Sequence, residues 1–125
     1  MTRLWRWTGN IMVGIGALHT VVFLVVGRSQ VVGMVRDGMV ASIGGDEIRL
    51  VVWYGGAFLG ICMVLLGVAV QHLIGETGRP APASIGWALV AVGVVGAVVD
   101  PVSGAWLVLV CGLFMALPPR AALAE

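Results

Sequence analysis

The sequence is poor in charge. Charged residues make up 10% of its 125 residues and all seven basic ones are arginine, whereas about a quarter of an average soluble domain is charged. A formal net charge of +1 provides no basic patch for nucleic-acid binding, so we expect no nucleic-acid partner. Apolar residues make up 60% of the chain and the mean hydropathy is +1.08, more apolar surface than so short a soluble protein can bury. The composition therefore indicates an integral membrane protein.

Cysteine and metal-ligating residues are equally sparse. Cys62 and Cys111 each stand alone within an apolar run, and the lack of a C-x-x-C motif argues against a thiol-redox enzyme. Within the apolar segments no two His, Cys, Asp or Glu residues have the spacing of metal ligands on one helix face, so we predict no metal site. No A-x-A-like cleavage site follows the first apolar run, which favours a retained first span over a signal peptide.

Four apolar segments have about the length needed to cross a hydrocarbon core of roughly 30 Å. They cover residues 8–26, 50–74, 83–99 and 104–117. Asp100 and Pro101 separate the last two, and one helix running through this proline would be too long for a single span. We therefore predict a hairpin whose turn lies at or slightly below the membrane surface. Asp100 would be the N-cap of the fourth helix and Pro101 its first residue.

Tryptophans lie near the ends of these segments, where the aromatic belt of a membrane protein is expected. They are Trp5 and Trp7 before the first span, Trp53 in the second, Trp87 in the third and Trp106 in the fourth. The pattern predicts one all-α domain over residues 1–125, an integral membrane four-helix bundle.

The segment between the first two spans, residues 29–43, is too apolar for a plain loop. On a helical wheel its larger apolar residues share one side: Val31, Val32, Met34, Val35 and Met39. The pattern predicts an amphipathic helix. It would either lie in the membrane interface or re-enter the membrane over the bundle.

The arginines determine the predicted orientation. With the N-terminus inside, the cytoplasmic side carries Arg3, Arg6, Arg79 and Arg120, and the outer side carries Arg28, Arg36 and Arg49. The positive-inside rule then favours both chain ends in the cytoplasm, in a multi-pass protein of the inner (plasma) membrane. Four acidic residues fall outside: Asp37, Asp46, Glu47 and Asp100.

Glycine is frequent within the spans. Small residues recur four positions apart at Gly56 and Gly60, and again at Gly93 and Ala97. Such pairs let helix backbones approach closely. We favour packing within the bundle, because four spans must first bury one another. Joining of protomers into a homo-oligomer through these glycine-rich faces is the alternative.

Polar residues gather at the outer end of the predicted bundle. His19 lies past the middle of the first span, where an ionisable residue is expensive to keep and suggests a functional site. We predict that His19 is an acid–base group with Asp100 or Asp37 as its partner. The candidate substrate-binding residues are Trp53, Tyr54, Arg49, Trp106 and Ser103.

These residues also have structural interpretations. A neutral His19 would hydrogen-bond a backbone carbonyl or a facing helix, and Asp100 would cap a helix. Arg49 would anchor the interface by extending its charged end toward water. His72, which lies with Gln71 at the inner end, is expected to be solvated. No cofactor is predicted, and a haem held by His19 alone is the alternative.

Four short motifs carry a resemblance to a known family. They are Arg6-Trp7-Thr8-Gly9, Gly16-Ala17-Leu18-His19-Thr20, Arg36-Asp37-Gly38 and Asp100-Pro101-Val102-Ser103-Gly104-Ala105-Trp106. Together they look like a family of small bacterial four-helix membrane proteins of unknown function, over nearly the whole chain. The resemblance implies the fold and brings no activity. In size and span number only, the chain is similar to groups that include quinone-linked oxidoreductase subunits and sterol-isomerising enzymes.

The sequence thus favours a protein that binds or transforms a hydrophobic small molecule, such as a lipid, isoprenoid, sterol or quinone, in an outer-leaflet pocket. As an enzyme it would be an isomerase- or hydrolase-type acid–base catalyst. The alternative is an accessory or assembly subunit of a membrane complex. A small dimeric transporter is disfavoured, because no span holds an acidic residue away from its ends for proton coupling.

Overall fold

The computed structural model describes residues 4–120, and this part of the chain consists of helices and connecting turns without a strand. The five helices are α1 (Thr8–Val26), α2 (Arg28–Arg36), α3 (Glu47–Thr77), α4 (Ala83–Val99) and α5 (Ala105–Ala116). A 3-10 turn, Leu4–Trp7, leads into α1. The all-α prediction is confirmed. Arg3, one of the arginines used to orient the chain, lies outside the described residues.

Helix α3 is longer than the apolar segment that predicted it. Asp46 caps its first turn, because the Asp46 Oδ1 atom accepts from the amides of Ile48 at 3.0 Å and Arg49 at 3.1 Å. Residues Val51–Phe58 are π-helical within it. The helix ends at Gly78, whose φ of +62° suits glycine. Polar residues on both sides of the apolar segment therefore extend the helix beyond residues 50–74.

Helices α1 and α3 form an antiparallel hairpin along a line of glycines. A Cβ placed on Gly16 would lie 2.7 Å from the carbonyl oxygen of Gly60. About two helical turns closer to the start of α1, a Cβ on Gly67 would lie 2.7 Å from the carbonyl oxygen of Gly9. Backbone therefore contacts backbone along this seam, and only glycine permits it.

Helices α4 and α5 form a second hairpin of the same kind. A Cβ on Gly112 would lie 2.7 Å from the amide of Val90, and one on Gly93 would lie 2.6 Å from the amide of Leu109. Ala97, four residues after Gly93, is buried as well. Both pairs of small residues singled out in the sequence thus pack inside the hairpins of this chain.

The two hairpins share a core at one end of the molecule, where α1 begins and α3 ends. The buried residues of this core are Trp5, Met12, Val70, Ile74, Ala81, Leu89, Cys111 and Met115. Helix α1 contacts α5 there. We call this the N-terminal end. The opposite end, where residues 37–46 join α2 to α3, is the connector end.

Two helices are long and apolar enough, by length and composition, to cross a membrane: α1 counted with its leading turn, Leu4–Val26, and α3, Glu47–Thr77. Only 17% and 28% of their most apolar 18-residue windows is buried inside the protein, so most of their side chains face outward. Helices α4 and α5 are apolar but shorter, with 17 and 12 residues.

The segment between the first two predicted spans is helical only in its first part. Helix α2 ends at Arg36 rather than near residue 43, because Gly38, Met39 and Ala41 adopt positive φ angles of 87°, 63° and 53°. The prediction that Met39 extends the apolar face of this helix is therefore wrong. Met34 is buried and Val35 is exposed, so the face that packs onto the protein is narrow.

The predicted start of the fourth helix is also wrong. Helix α5 begins at Ala105 with Gly104 as its N-cap, not at Asp100 and Pro101. Asp100 instead ends α4, and its carboxylate accepts from the Val102 amide at 3.2 Å. A side chain that hydrogen-bonds two residues ahead stabilises a turn rather than a helix start.

The glycine seam gives a matched test on one helix. Gly16→Ala should lower the free energy of unfolding by about 1–3 kcal/mol, because the new methyl group meets the backbone of α3. Gly14→Ala should be neutral or stabilising, since no atom lies within 4 Å of its Cβ position and alanine favours helix. Thermal unfolding of the detergent-solubilised protein would measure both, and equal effects would contradict the seam.

Candidate functional site

His19 joins the two helices of the first hairpin. Its Nε2 atom donates a hydrogen bond of 2.8 Å to the carbonyl oxygen of Gly55 in α3. The ring is partly buried and stacks at 4.8 Å, tilted by 39°, on Phe23. Phe23 in turn covers Gly56, where a side chain on α3 would collide with it. This is the bond to a facing helix that the structural interpretation of His19 expected.

The π-helical stretch explains why the Gly55 carbonyl faces an incoming donor. In a regular α-helix the Leu59 amide would donate to Gly55. Here it donates to the carbonyls of Tyr54 and Gly56. The Gly55 carbonyl thus lacks the Leu59 donor that a regular α-helix would give it, and it accepts from His19 of α1.

The hydrogen bond also fixes the chemistry of the imidazole. A carbonyl oxygen only accepts, so the Nε2 atom of His19 must carry the proton. In the neutral ring the Nδ1 atom then holds the free lone pair. Among residues 4–120, no group hydrogen-bonds this second nitrogen. His19 therefore presents a base whose tautomer is set by α3.

Asp37, a predicted partner of His19, is engaged elsewhere. The Arg49 Nη1 atom donates to the Asp37 carboxylate and to the carbonyl oxygen of Ser42, each at 2.6 Å. The Arg49 Nε atom lies 3.6 Å from the Asp46 carboxylate. The Arg49 side chain is only 19% exposed, and its guanidinium lies against Gly33. Arg49 thus fastens the connector to the start of α3 rather than extending toward the surface.

Asp100 and Ser103 form the turn between α4 and α5. The Ser103 hydroxyl donates to the Asp100 carbonyl at 2.7 Å and accepts from the Ala105 amide at 3.3 Å. The Trp106 Nε1 atom donates to the Pro101 carbonyl at 2.9 Å. In the described part of the chain, neither Asp100 nor Asp37 hydrogen-bonds His19. The predicted acid–base pair is therefore not assembled in this structure.

The two aromatic candidates on α3 differ in exposure. Trp53 is partly buried and Tyr54 is exposed. The Tyr54 ring packs edge-on against Phe58, with 5.8 Å between the ring centroids. Both lie in the π-helical stretch, next to the carbonyl that binds His19. The π-helical stretch therefore carries an exposed pair of aromatic rings, Tyr54 and Phe58.

Gln71, at the N-terminal end, joins α3 to the start of α1. Its Oε1 atom accepts from the Asn10 amide at 3.2 Å, and its Nε2 atom donates to the Arg6 carbonyl at 2.9 Å. Trp7, at the N-cap of α1, makes no side-chain cap. Gln71 supplies it from α3, and an amide side chain opposite an uncapped helix start was the available sequence signal.

A shallow open groove of about 400 Å³ lies beside Gln71, at the N-terminal end. Its lining residues are Asn10, Val68, Gln71, His72, Gly75 and Glu76. His72 and Glu76 pair at 3.0 Å across one turn of α3, and both are exposed. None of the predicted site residues lines this groove. Within residues 4–120, no three potential metal ligands lie close enough together to hold an ion.

The described chain is thus a small all-helical protein of two apolar hairpins with outward-facing apolar surfaces. In the first hairpin, His19 of α1 hydrogen-bonds the backbone of α3. The chain belongs to the DUF6463 family, a family of unknown function whose model matches residues 3–122. No curated protein and no solved structure matches the chain. The resemblance to an uncharacterised family is thus confirmed, and the family assigns no activity.

The Arg49 contacts predict how the connector responds to loss of one carboxylate. Asp37→Asn should speed amide hydrogen exchange in residues 38–46 roughly fivefold, because an exposed charge-assisted bond contributes up to about 1 kcal/mol. Arg36→Gln is the control, since Arg36 is exposed and outside these contacts. Exchange that changes equally in both variants would show that Asp37 does not hold the connector.

Proposed function

We propose that the chain is a multi-pass protein of the bacterial inner membrane. In this topology α1, α3, α4 and α5 lie in the bilayer and both chain ends face the cytoplasm. Three observations support this topology. Helices α1 and α3 have spanning length and composition, their side chains face mostly outward, and the arginines favour this orientation by four to three. Helix α2, with Val32 and Val35 exposed, then lies in the outer interface.

Within this topology, the protein binds and transforms a hydrophobic small molecule beside His19. The observation that carries the proposal is the bond from His19 to the π-helical stretch of α3. An ionisable group in the middle of an apolar helix is expensive to keep, and π-helical turns are frequent at functional sites. Tyr54 and Phe58 offer an exposed aromatic surface to a ligand that arrives through the lipid.

The geometry suits proton abstraction and return. With Nε2 held by Gly55, the Nδ1 atom of His19 takes a proton from the ligand and returns it at another position, as an isomerase requires. The same atom can instead activate a water molecule for hydrolysis. The positive charge formed on the ring is stabilised by the Gly55 carbonyl, to which the Nε2 proton still points. No second side chain is needed to hold the ring.

An accessory or assembly subunit is the second candidate, and one surface favours it. Helix α4 exposes a row of valines along one side, formed by Val92, Val95, Val98 and Val99. A partner helix could pack on this row as readily as lipid. Purification in mild detergent separates the two functions, because a foreign protein in fixed stoichiometry supports the accessory role.

His19→Gln separates chemistry from structure. The glutamine amide can still donate to the Gly55 carbonyl but provides no base, whereas His19→Ala removes both functions. We expect His19→Gln to unfold at nearly the wild-type temperature. A turnover that depends on the base should fall by about 10²–10⁴-fold.

Native mass spectrometry of the wild-type protein would supply the ligand for that assay, as a co-purified hydrophobic molecule. The His19→Gln chain serves as its own folding control. If it turns over this molecule at the wild-type rate, the proposed role of His19 is wrong.

The topology has its own test. The wild-type chain should stay in the membrane pellet after alkaline carbonate extraction, because its apolar helices are held by lipid. A fluorescent protein that folds only in the cytoplasm should fluoresce when fused after residue 125. A phosphatase that is active only in the periplasm should be inactive at the same position. Release by carbonate would contradict the membrane assignment, and a periplasmically active reporter would contradict the orientation.

A further inference from the structure

The second hairpin is too short to match the first. Helix α5 has 12 residues and α4 has 17, which correspond to about 18 and 26 Å at 1.5 Å per residue. The hydrocarbon core of a bilayer is about 30 Å thick. Helix α1 with its leading turn, Leu4–Val26, has 23 residues and matches that thickness. One end of the second hairpin must therefore stop inside the bilayer.

The shared core shows which end that is. Leu89 and Cys111 pack in the same cluster as Met12. From this level α1 continues for about 21 Å to Val26, whereas α4 continues for about 15 Å and α5 for about 9 Å. The second hairpin is thus anchored at the N-terminal end, and most of its shortfall in length falls at its turn. That turn lies at the depth of His19 to Phe23, below the end of α1.

The turn has the surface of a segment surrounded by lipid. Val102, at its tip, is 94% exposed, and Val98 and Val99 before it are 76% and 79% exposed. The connector at the same end of the first hairpin exposes three carboxylates, Asp37, Asp46 and Glu47, whereas the turn exposes one, Asp100. In water the valine tip would leave apolar surface unprotected, whereas in lipid it is solvated.

The turn also provides partners for four backbone amides in and beside it. The amide of Asp100 donates to Gly96, the amide of Val102 to the Asp100 carboxylate, and the amide of Ser103 to the Asp100 carbonyl. The Ala105 amide donates to the Ser103 hydroxyl, and the Trp106 ring donates to Pro101. Non-helical backbone inside a membrane requires such internal bonds, because lipid offers none.

We propose that the turn of residues 100–104 lies within the outer leaflet rather than at its surface, so that Asp100 is a membrane-embedded carboxyl group at the depth of Phe23, about one helical turn nearer the interface than His19. This rests on the proposed membrane topology and narrows the proposed ligand. The reactive group of that ligand sits among the acyl chains, about 10 Å below the interface. The substrate class is therefore a lipid-soluble chain or ring with an internal polar group, not a lipid headgroup.

Depth-dependent quenching tests the position of the turn. Two single-tryptophan chains, one keeping Trp106 and one keeping Trp53, are made by Trp→Phe replacement and reconstituted in phosphatidylcholine brominated at a shallow or a deep acyl carbon. The Trp106 chain should be quenched most by the deep bromines and the Trp53 chain by the shallow ones. Equal depth of the two residues would overturn the proposal.

Cysteine labelling gives a second measurement in a chain with an almost unchanged core. In a Cys62→Ser, Cys111→Ala background, Val102→Cys should react with a membrane-impermeant maleimide at least tenfold more slowly than Gly45→Cys in the connector. Both positions are exposed in the protein, and both should react fully after unfolding in detergent. Equal rates in intact vesicles would overturn the embedded turn.

The two proposals fail in distinguishable ways. If neither single-tryptophan chain is quenched by brominated lipid, the membrane topology itself is wrong, and the embedded turn falls with it. If both are quenched by the shallow bromines alone, the topology stands and only the depth of the turn is wrong.

Discussion

Close approach of helix backbones at glycine is the constraint on which the rest of this structure depends. Gly16 against Gly60 and Gly9 against Gly67 bring α1 and α3 close enough for a side chain of one to reach the backbone of the other. The bond from His19 to Gly55 exists because of this proximity. If the helices lie in lipid, as proposed, there is little hydrophobic gain between them, and close van der Waals contact and such interhelical bonds provide the association.

Three polar side chains in the described chain share one pattern, which is pairing with the backbone of another segment. Gln71 caps the start of α1, Arg49 holds the Ser42 carbonyl, and His19 holds Gly55. Each joins elements that are distant in the sequence or separated by a turn. In an apolar protein with few side chains able to form ion pairs, backbone carbonyls and amides are the abundant partners. The few polar residues consequently determine how apolar helices are arranged.

The helices were largely readable from the sequence, and the partners of the polar residues were not. Apolar runs give the bounds of α1 and α4, because hydropathy reports helix length directly. Asp100 was misassigned as a helix cap, since an Asp-Pro pair suits both a helix start and a turn. The π-helical stretch of α3 left no pattern in the sequence. Without it the acceptor of His19 could not be predicted. The bonds from Arg49 to Asp37 and Ser42 depend on the path of the connector, which the sequence pattern also did not indicate.

The confinement of each glycine seam to one hairpin has a consequence for biosynthesis. The first pair of apolar helices is complete at Thr77, before any residue of the second has been translated. Each pair contains its own close contacts, and the Gly-Pro-rich segment 78–82 between them places Ala81 in the shared core. On the proposed membrane topology, the chain would thus insert two helices at a time, with the shared core around Met12 and Cys111 formed last.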